Sequence, residues 1–257
     1  MTAEAPAALD VVLREARRAA FGPAEFVGQE SFVTASEVLA LARRAGVGPG
    51  VSVLDLCCGT GGPGLSVTRT LGCDYLGVDA DPGSVAQARR RAATASLDAR
   101  FQVARVPPVP RGPFDVVLLL ETMLAFRDKP ALLRGVSAAL RTGGRFAFTL
   151  EEGSPLTEAE QAAMPGSGTV WLTPLDDLLA ELEAAGLWVH WLGECSRQHR
   201  VAVDALVGAY TASAPHLGPG AGSGVVEDLV TSHRLWSRWL AEGRVRKFAV
   251  VADKVRA

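Results

Sequence analysis

The stretch Val53-Leu-Asp-Leu-Cys-Cys-Gly-Thr-Gly-Gly-Pro-Gly64 decides how the rest of the chain is read. An apolar run holding one acid, Asp55, leads into Gly59, Gly61 and Gly64 at the spacing G-x-G-x-x-G. Glycine lets the backbone turn tightly and approach a ligand closely, and the helix that follows such a turn offers unpaired N–H groups. Asp79 lies 20 positions after Gly59, at the end of a second apolar run. A carboxylate there can accept hydrogen bonds from both hydroxyls of a ribose. Strand, glycine turn, helix and distant acid together predict a site for a nucleoside-containing cofactor.

Outward from that turn, short β-rich runs alternate with helical stretches, the pattern of a parallel sheet covered by helices. Seven strands are predicted: Val51-Leu56, Asp74-Val78, Arg100-Val103, Phe114-Leu120, Arg145-Leu150, Leu187-Leu192 and Val245-Ala252. The first five are dense in Val, Leu and Phe without polar alternation, as strands buried on both faces are. Helices are predicted at Gly64-Thr70, Pro82-Ala95 and Pro130-Leu140, the last ended by Gly143-Gly144. Ala7-Ala20, Ala35-Ala45, Pro174-Ala185, Ser196-Thr211 and Val225-Ala241 read as further helices. Glu152-Gly168 reads as a connector and Ser213-Gly224, with four Gly and two Pro, as a mobile loop. The expected division is a helical lid over residues 1–48, then a domain over 49–257 with cap insertions near 152–173 and 196–241.

Asp55 separates the possible cofactors. It sits four positions before Gly59, and a carboxylate aimed at the crevice would repel a dinucleotide's pyrophosphate. It suits a ligand with an ammonium or sulfonium charge, and S-adenosylmethionine carries both. Asp81 reads as the N-cap of the helix opened by Pro82.

At this point the motifs resemble those of class I S-adenosylmethionine-dependent methyltransferases. The segment 53–64 is similar to their first motif and Gly77-Val-Asp-Ala-Asp81 to their second. Phe114-Asp-Val-Val-Leu-Leu-Leu-Glu121 resembles their fourth-strand motif, and Leu140-Arg-Thr-Gly-Gly-Arg-Phe146 the turn before their fifth strand, with Thr142 where the family usually has Pro. The tail Trp239-Leu-Ala-Glu-Gly-Arg-Val-Arg-Lys-Phe248 resembles the end of small-molecule members of the sterol, quinone and sugar-modifying type. The resemblance implies a Rossmann-like α/β fold, a seven-stranded and mostly parallel sheet whose last strand runs antiparallel between the fifth and sixth. It also implies that Gly59, Thr60 and Gly61 pack against the methionine end of S-adenosylmethionine, with Asp55 near its ammonium. Asp79 would bind the ribose, Ala80 would lie against adenine, Leu120 would flank the sulfonium, and backbone near Arg105 and Val106 would recognise the adenine edge. S-adenosylhomocysteine is the expected product.

Methyl transfer from a sulfonium is an in-line displacement, so the protein must align acceptor and methyl and often remove a proton. Ligands of open α/β sheets bind at the carboxyl ends of the strands, where this chain carries Glu121 and the pair Glu151-Glu152. Glu121, Glu151 and His199 are the expected catalytic groups, with Tyr210 a further candidate base. Arg197, Arg200 and Arg238 on the later helices suit bidentate recognition of an anion. They suggest C-methylation of an isoprenoid or prenyl diphosphate, with O- or N-methylation of an aromatic, polyketide or sugar metabolite as the alternative. In the entry segment 26–34, Phe26, Gln29 and Phe32 are expected to touch substrate, and Gln29 and Thr34 to reach the cofactor. Two further readings stay open, a NAD-dependent oxidoreductase and a non-methylating protein that keeps an adenosyl ligand.

Composition narrows the partners. The 257 residues, 48% hydrophobic and 21% charged, can bury one substantial core. A formal charge of -2 argues against a chain held to nucleic acid by net charge, although local patches are compatible with it. There are 23 Arg and three Lys (Lys129, Lys247 and Lys254), and all five Trp follow residue 170. The longest aliphatic run, Val116 to Leu120, is far short of the ~20 apolar residues that span a bilayer. With no basic n-region at the N-terminus and no Cys or His at metal-ligand spacing, a cytoplasmic monomer or homodimer without a metal is expected.

Overall fold

The computed structural model describes residues 4–216 and 221–255. Seven strands, β1 (Ser52–Leu56), β2 (Asp74–Asp79), β3 (Ala99–Val103), β4 (Phe114–Leu119), β5 (Leu140–Glu152), β6 (Leu187–Glu194) and β7 (Arg246–Lys254), form one sheet in the order β3-β2-β1-β4-β5-β7-β6. β1 pairs in parallel with β2 and β4, β2 with β3, and β4 with β5, whereas β7 runs antiparallel to both β5 and β6. This is the seven-stranded, mostly parallel Rossmann-like sheet with β7 inserted between β5 and β6.

Side chains alternate across each strand, so one run feeds two cores. Val53, Val116, Ala147 and Val251 pack under α2 (Ala35–Arg44), α3 (Gly62–Leu71) and α4 (Pro82–Thr94) through Leu41, Leu65 and Val85. Leu54, Leu56, Val117, Phe146 and Phe148 pack under α5 (Lys129–Ala139) and α7 (Leu175–Ala184) through Leu132, Leu133, Leu178 and Leu182. At ~1.5–3 kcal/mol for each fully buried large side chain, these two layers are the main source of stability.

The flanking segments build a roof. α1 (Glu4–Phe21), α8 (Ser196–Ser213) and α9 (Ala221–Glu242) meet around Leu13, Leu206, Tyr210 and Val226. Leu156, Met164, Leu172, Val203, Trp236 and Trp239 join the connector to α8 and α9. The connector itself contains a short helix, α6 (Glu158–Ala163), started by a Thr157–Glu160 capping box that the reading of the connector passed over. Packing shows no gap at residue 48, because Val38 and Leu41 of α2 share a core with Val53.

Local expectations change at two places. β5 begins at Leu140, so Gly143-Gly144 lies within the strand's entry and α5 already stops at Ala139; Gly143 adopts φ +75 there. α9 begins at Ala221, inside the segment read as a loop, and residues 217–220 of that segment lie outside the described residues. Among the described residues no helix is long and apolar enough to cross a membrane.

Candidate functional site

The three glycines of the turn do different work. A Cβ on Gly64 would fall 1.9 Å from the Tyr75 hydroxyl, and one on Gly61 would fall 2.9 Å from the Ala88 Cβ and 3.0 Å from Phe101. Those two positions are empty so that neighbours can pack. Only at Gly59, with φ +53, would a Cβ meet nothing within 4 Å. Gly59 therefore faces open space, while Gly61 does not line the cleft and serves the turn instead.

The Gly59 N–H donates to Asp79 Oδ2 at 2.9 Å, and the Asp81 N–H donates to Asp79 Oδ1 at 2.9 Å. The Asp79 carboxylate is thus fixed at the mouth of the turn. Asp81 also accepts from the Ser84 N–H at 2.7 Å and caps α4. Tyr75, reaching through the space left by Gly64, donates to Asp55 Oδ2 at 2.5 Å. Burial pushes the Asp55 pKa up to about 7, against the lowering effect of that hydrogen bond and with help from Asp79.

A cleft of about 550 Å³ opens at the carboxyl ends of β1, β2, β4 and β5. Its base carries Asp55, Gly59, Asp79, Leu120, Glu121 and Glu151, and its roof carries Phe32, Leu124, Met164, Val170, His233 and Trp236. Among the described residues no Lys or Arg lines it. Four buried polar atoms in or beside it have no hydrogen-bond partner among the described residues: Glu121 Oε2, Glu151 Oε2, His199 Nε2 and Trp236 Nε1. Buried polar groups are normally paired, so unpaired ones in a cleft point to a ligand.

Below the cleft lies a group that sequence reasoning missed. Lys247, 2% exposed, donates to Glu121 Oε1 and to Glu151 Oε1. Glu121 also accepts from the Thr149 hydroxyl at 2.9 Å and holds φ +61, a strained backbone for a non-glycine residue. Burial raises the Glu121 pKa, but the Lys247 ammonium, His199 and the hydrogen bonds from Lys247 and Thr149 together outweigh it and leave the carboxyl below the usual range. For Glu151 burial wins over Lys247, and the neighbouring Glu121 adds to the rise. His199 Nδ1 lies 4.0 Å from Glu121 and its Nε2 lies 3.9 Å from Glu151, and burial with Lys247 pushes its pKa down to about 3. His199 is neutral and faces a smaller cavity of about 250 Å³ that also touches Glu121 and Lys247. The signal that exposes Lys247 is register: β5 and β7 run antiparallel with Glu151 opposite Lys247, in a chain with only three Lys.

Several expected contacts fall elsewhere. Thr60 borders the cleft, but its hydroxyl is engaged with Gly28 O and the Arg91 guanidinium. The Gln29 amide is used up inside its own loop, accepting from the Val27 N–H and donating to Glu25 O and Val33 O. Thr34 caps α2. Phe26 stacks on Phe21 at 6.5 Å, outside the cleft. Arg197, Arg200 and Arg238 are exposed and do not line the cleft; Arg200 faces Asp204 at 3.6 Å. Helix periodicity put them on solvent faces, with Val203 and Trp239 taking the inward positions. Ala80 and Arg105 are exposed, and Val106 packs against the sheet core, so none of the three lines the cleft. Glu152 pairs with Arg246 at 2.5 Å and accepts from the Leu175 N–H at the start of α7. Tyr210 is buried and accepts from Arg17 Nε at 2.9 Å. All four cysteines are free, and burial pushes the Cys57 thiol up to about 11, so it is no thiolate at neutral pH. His233 and Trp236 enter the roof because α9 lies across the cleft, its Trp236 side buried.

Residues 53–144 match a family described as "Methyltransferase domain". Over 157 residues the chain is 32% identical to the 27-O-demethylrifamycin SV methyltransferase of Amycolatopsis mediterranei, covering 56% of this chain and 58% of that protein. Over 187 residues it is 29% identical to the methyltransferase GfsG of Streptomyces halstedii, covering 69% and 67%. Among solved structures, the cyclopropane synthase MmaA2 from Mycobacterium tuberculosis superimposes with a TM-score of 0.80 at 12% identity, covering 95% of this chain and 97% of that one. That likeness speaks for the fold. The aligned part spans a little over half the length of the first of these relatives. The strand order and the glycine turn agree with that match: residues 53–144 are similar to a methyltransferase domain, and both of these sequence relatives are methyltransferases.

Proposed function

We propose that the protein transfers a methyl group from S-adenosylmethionine to an oxygen of an uncharged small molecule with an apolar body. The observation that carries this reading is the cleft itself, which combines carboxylates at its base, an apolar and aromatic roof, and no Lys or Arg among the described residues. A dinucleotide's pyrophosphate would meet Asp55 and Asp79 with no counter-charge. A ligand with ammonium, sulfonium and ribose groups meets the donor set it needs: Asp55 for the positive charges, Asp79 for the diol, and open space at Gly59 for close approach. When bound, S-adenosylmethionine supplies an electrophilic methyl group.

The chain's own residues do the rest. Phe32, Met164, Val170 and Trp236 exclude water and hold an apolar acceptor, and the unpaired Trp236 N–H offers a donor to one of its oxygens. Glu121, kept ionised by Lys247, has a free Oε2 at the end of β4 and takes the hydroxyl proton as the oxygen bonds to carbon. Alignment of the two reactants in the cleft lowers the barrier further.

A prenyl diphosphate fits less well, because Arg197, Arg200 and Arg238 face solvent and the cleft has nothing to bind the diphosphate. The O-methylation alternative, with a polyketide or aromatic acceptor of secondary metabolism, is therefore preferred. The name of one relative, which methylates 27-O-demethylrifamycin SV, supports it. The test is incubation with methyl-labelled S-adenosylmethionine and three acceptor sets: hydroxylated macrolactones, phenols and prenyl diphosphates. Label on oxygen in an uncharged acceptor supports the reading. Label only on carbon of a prenyl diphosphate refutes it.

A further inference from the structure

On the far side of the entry loop from the cleft lies a larger concavity, about 710 Å³, lined by Arg14, Arg18, Arg69, Arg90 and Arg91. These arginines come from α1, α3 and α4, so the fold gathers them from three elements. Among the described residues no Asp or Glu lines the cavity. Among the described residues none of the five makes a salt bridge; Glu30 lies within electrostatic range of Arg91, and Arg14 acts on Arg91 as a like charge. This concentration stands out in a chain whose formal charge is -2. A cleft lined by one sign of charge focuses its field and draws in counter-ions, and guanidinium groups match phosphate oxygens bidentately.

We propose that this cavity is a second ligand site, which binds a small molecule carrying two or more phosphate charges. Phe26, Val27 and Leu65 form an apolar wall beside the arginines and give the ligand's uncharged part a surface. The concave shape, which gathers the arginines of three helices around one open hollow, suits a small phosphate ester rather than a duplex or a bilayer surface. The proposal is independent of the methyl-transfer reading, since Arg14, Arg18, Arg69 and Arg90 do not line the cofactor cleft.

The site also touches the cleft through one residue pair. Arg91 Nη1 donates to Gly28 O at 3.3 Å, Thr60 O at 3.1 Å and Thr60 Oγ1 at 2.9 Å, and Gly28 borders both cavities. Arg91 is thus a strap between the entry loop and the glycine turn, and its guanidinium faces the phosphate site.

Calorimetric titration with sodium pyrophosphate and with ADP, at low and at physiological salt, tests the proposal. Wild type is expected to bind at least one of them saturably, more weakly at higher salt. Arg14→Ala/Arg90→Ala should lose at least tenfold in affinity, Arg14→Lys/Arg90→Lys should lose less, and S-adenosylhomocysteine binding should stay within twofold in both. Saturable binding of neither probe by wild type overturns it, as does binding untouched by the double alanine variant. Binding to phosphatidylserine vesicles or duplex DNA without binding to either probe also overturns it.

Discussion

Tyr75 donates its hydroxyl to the Asp55 carboxylate at 2.5 Å, through space that exists only because residue 64 is glycine. The second strand thereby buttresses an acid of the first, and the acid's charge depends on that partner. Burial holds Asp55 near pKa 7, far above 3.8, so between those values the native state keeps a proton that the unfolded chain has released. Stability contributed by this group therefore falls as pH rises from about 4 to about 7, by up to ~4 kcal/mol. Urea titrations across that window should show the slope in wild type and a flatter one in Asp55→Asn. A positively charged ligand favours the ionised form, so S-adenosylmethionine binding should tighten as pH rises through about 7 and release a proton.

Gly64→Ala should cost stability through overpacking, on the order of 1–3 kcal/mol, because its Cβ would fall inside contact distance of the Tyr75 ring as well as its hydroxyl. Thermal melts at matched pH measure this. A neutral result would mean that Tyr75 swings away freely, and that its bond to Asp55 is not held by packing.

Lys247 compensates two buried carboxylates, so Lys247→Met leaves them without a counter-charge. A loss of about 3–5 kcal/mol is expected. Adding Glu151→Gln should recover part of it, and a double-mutant cycle by urea unfolding reads the coupling. Lys247→Met should also raise the Glu121 pKa and move the acidic limb of the pH–rate profile upward. Strict additivity would show that the three side chains do not act together.

Trp236→Phe keeps the aromatic roof and removes the indole N–H. Binding of S-adenosylhomocysteine should be nearly unchanged while KM for the acceptor rises several-fold, as expected for a lost hydrogen bond of about 0.5–1.5 kcal/mol. Equal loss for both ligands would place Trp236 in general packing only.

Much of the fold was legible because it rests on local signals. Buried strands of Val, Leu and Phe, glycine at the turns and Asp at a helix start each act over a few residues, and the positions of Asp79 and Glu121 follow from strand ends. What stayed hidden depends on contacts distant in sequence. Lys247 meets Glu151 only through the β5–β7 register, and Tyr75 meets Asp55 only across paired strands. The arginines of α8 and α9 were misassigned because helical spacing fixes which residues share a face but not which face looks inward. The arginines of α1, α3 and α4 converge only in three dimensions, which net charge does not reveal.

The central claim, that the carboxylate-lined cleft takes an adenosyl ligand rather than a dinucleotide, is tested most directly by ligand-dependent unfolding. S-adenosylhomocysteine at about 100 times its Kd should add ~2.7 kcal/mol to the stability of the wild type. Asp79→Ala should lose most of that gain, and NADH should give none. Stabilisation by NADH with no response to S-adenosylhomocysteine would contradict the account.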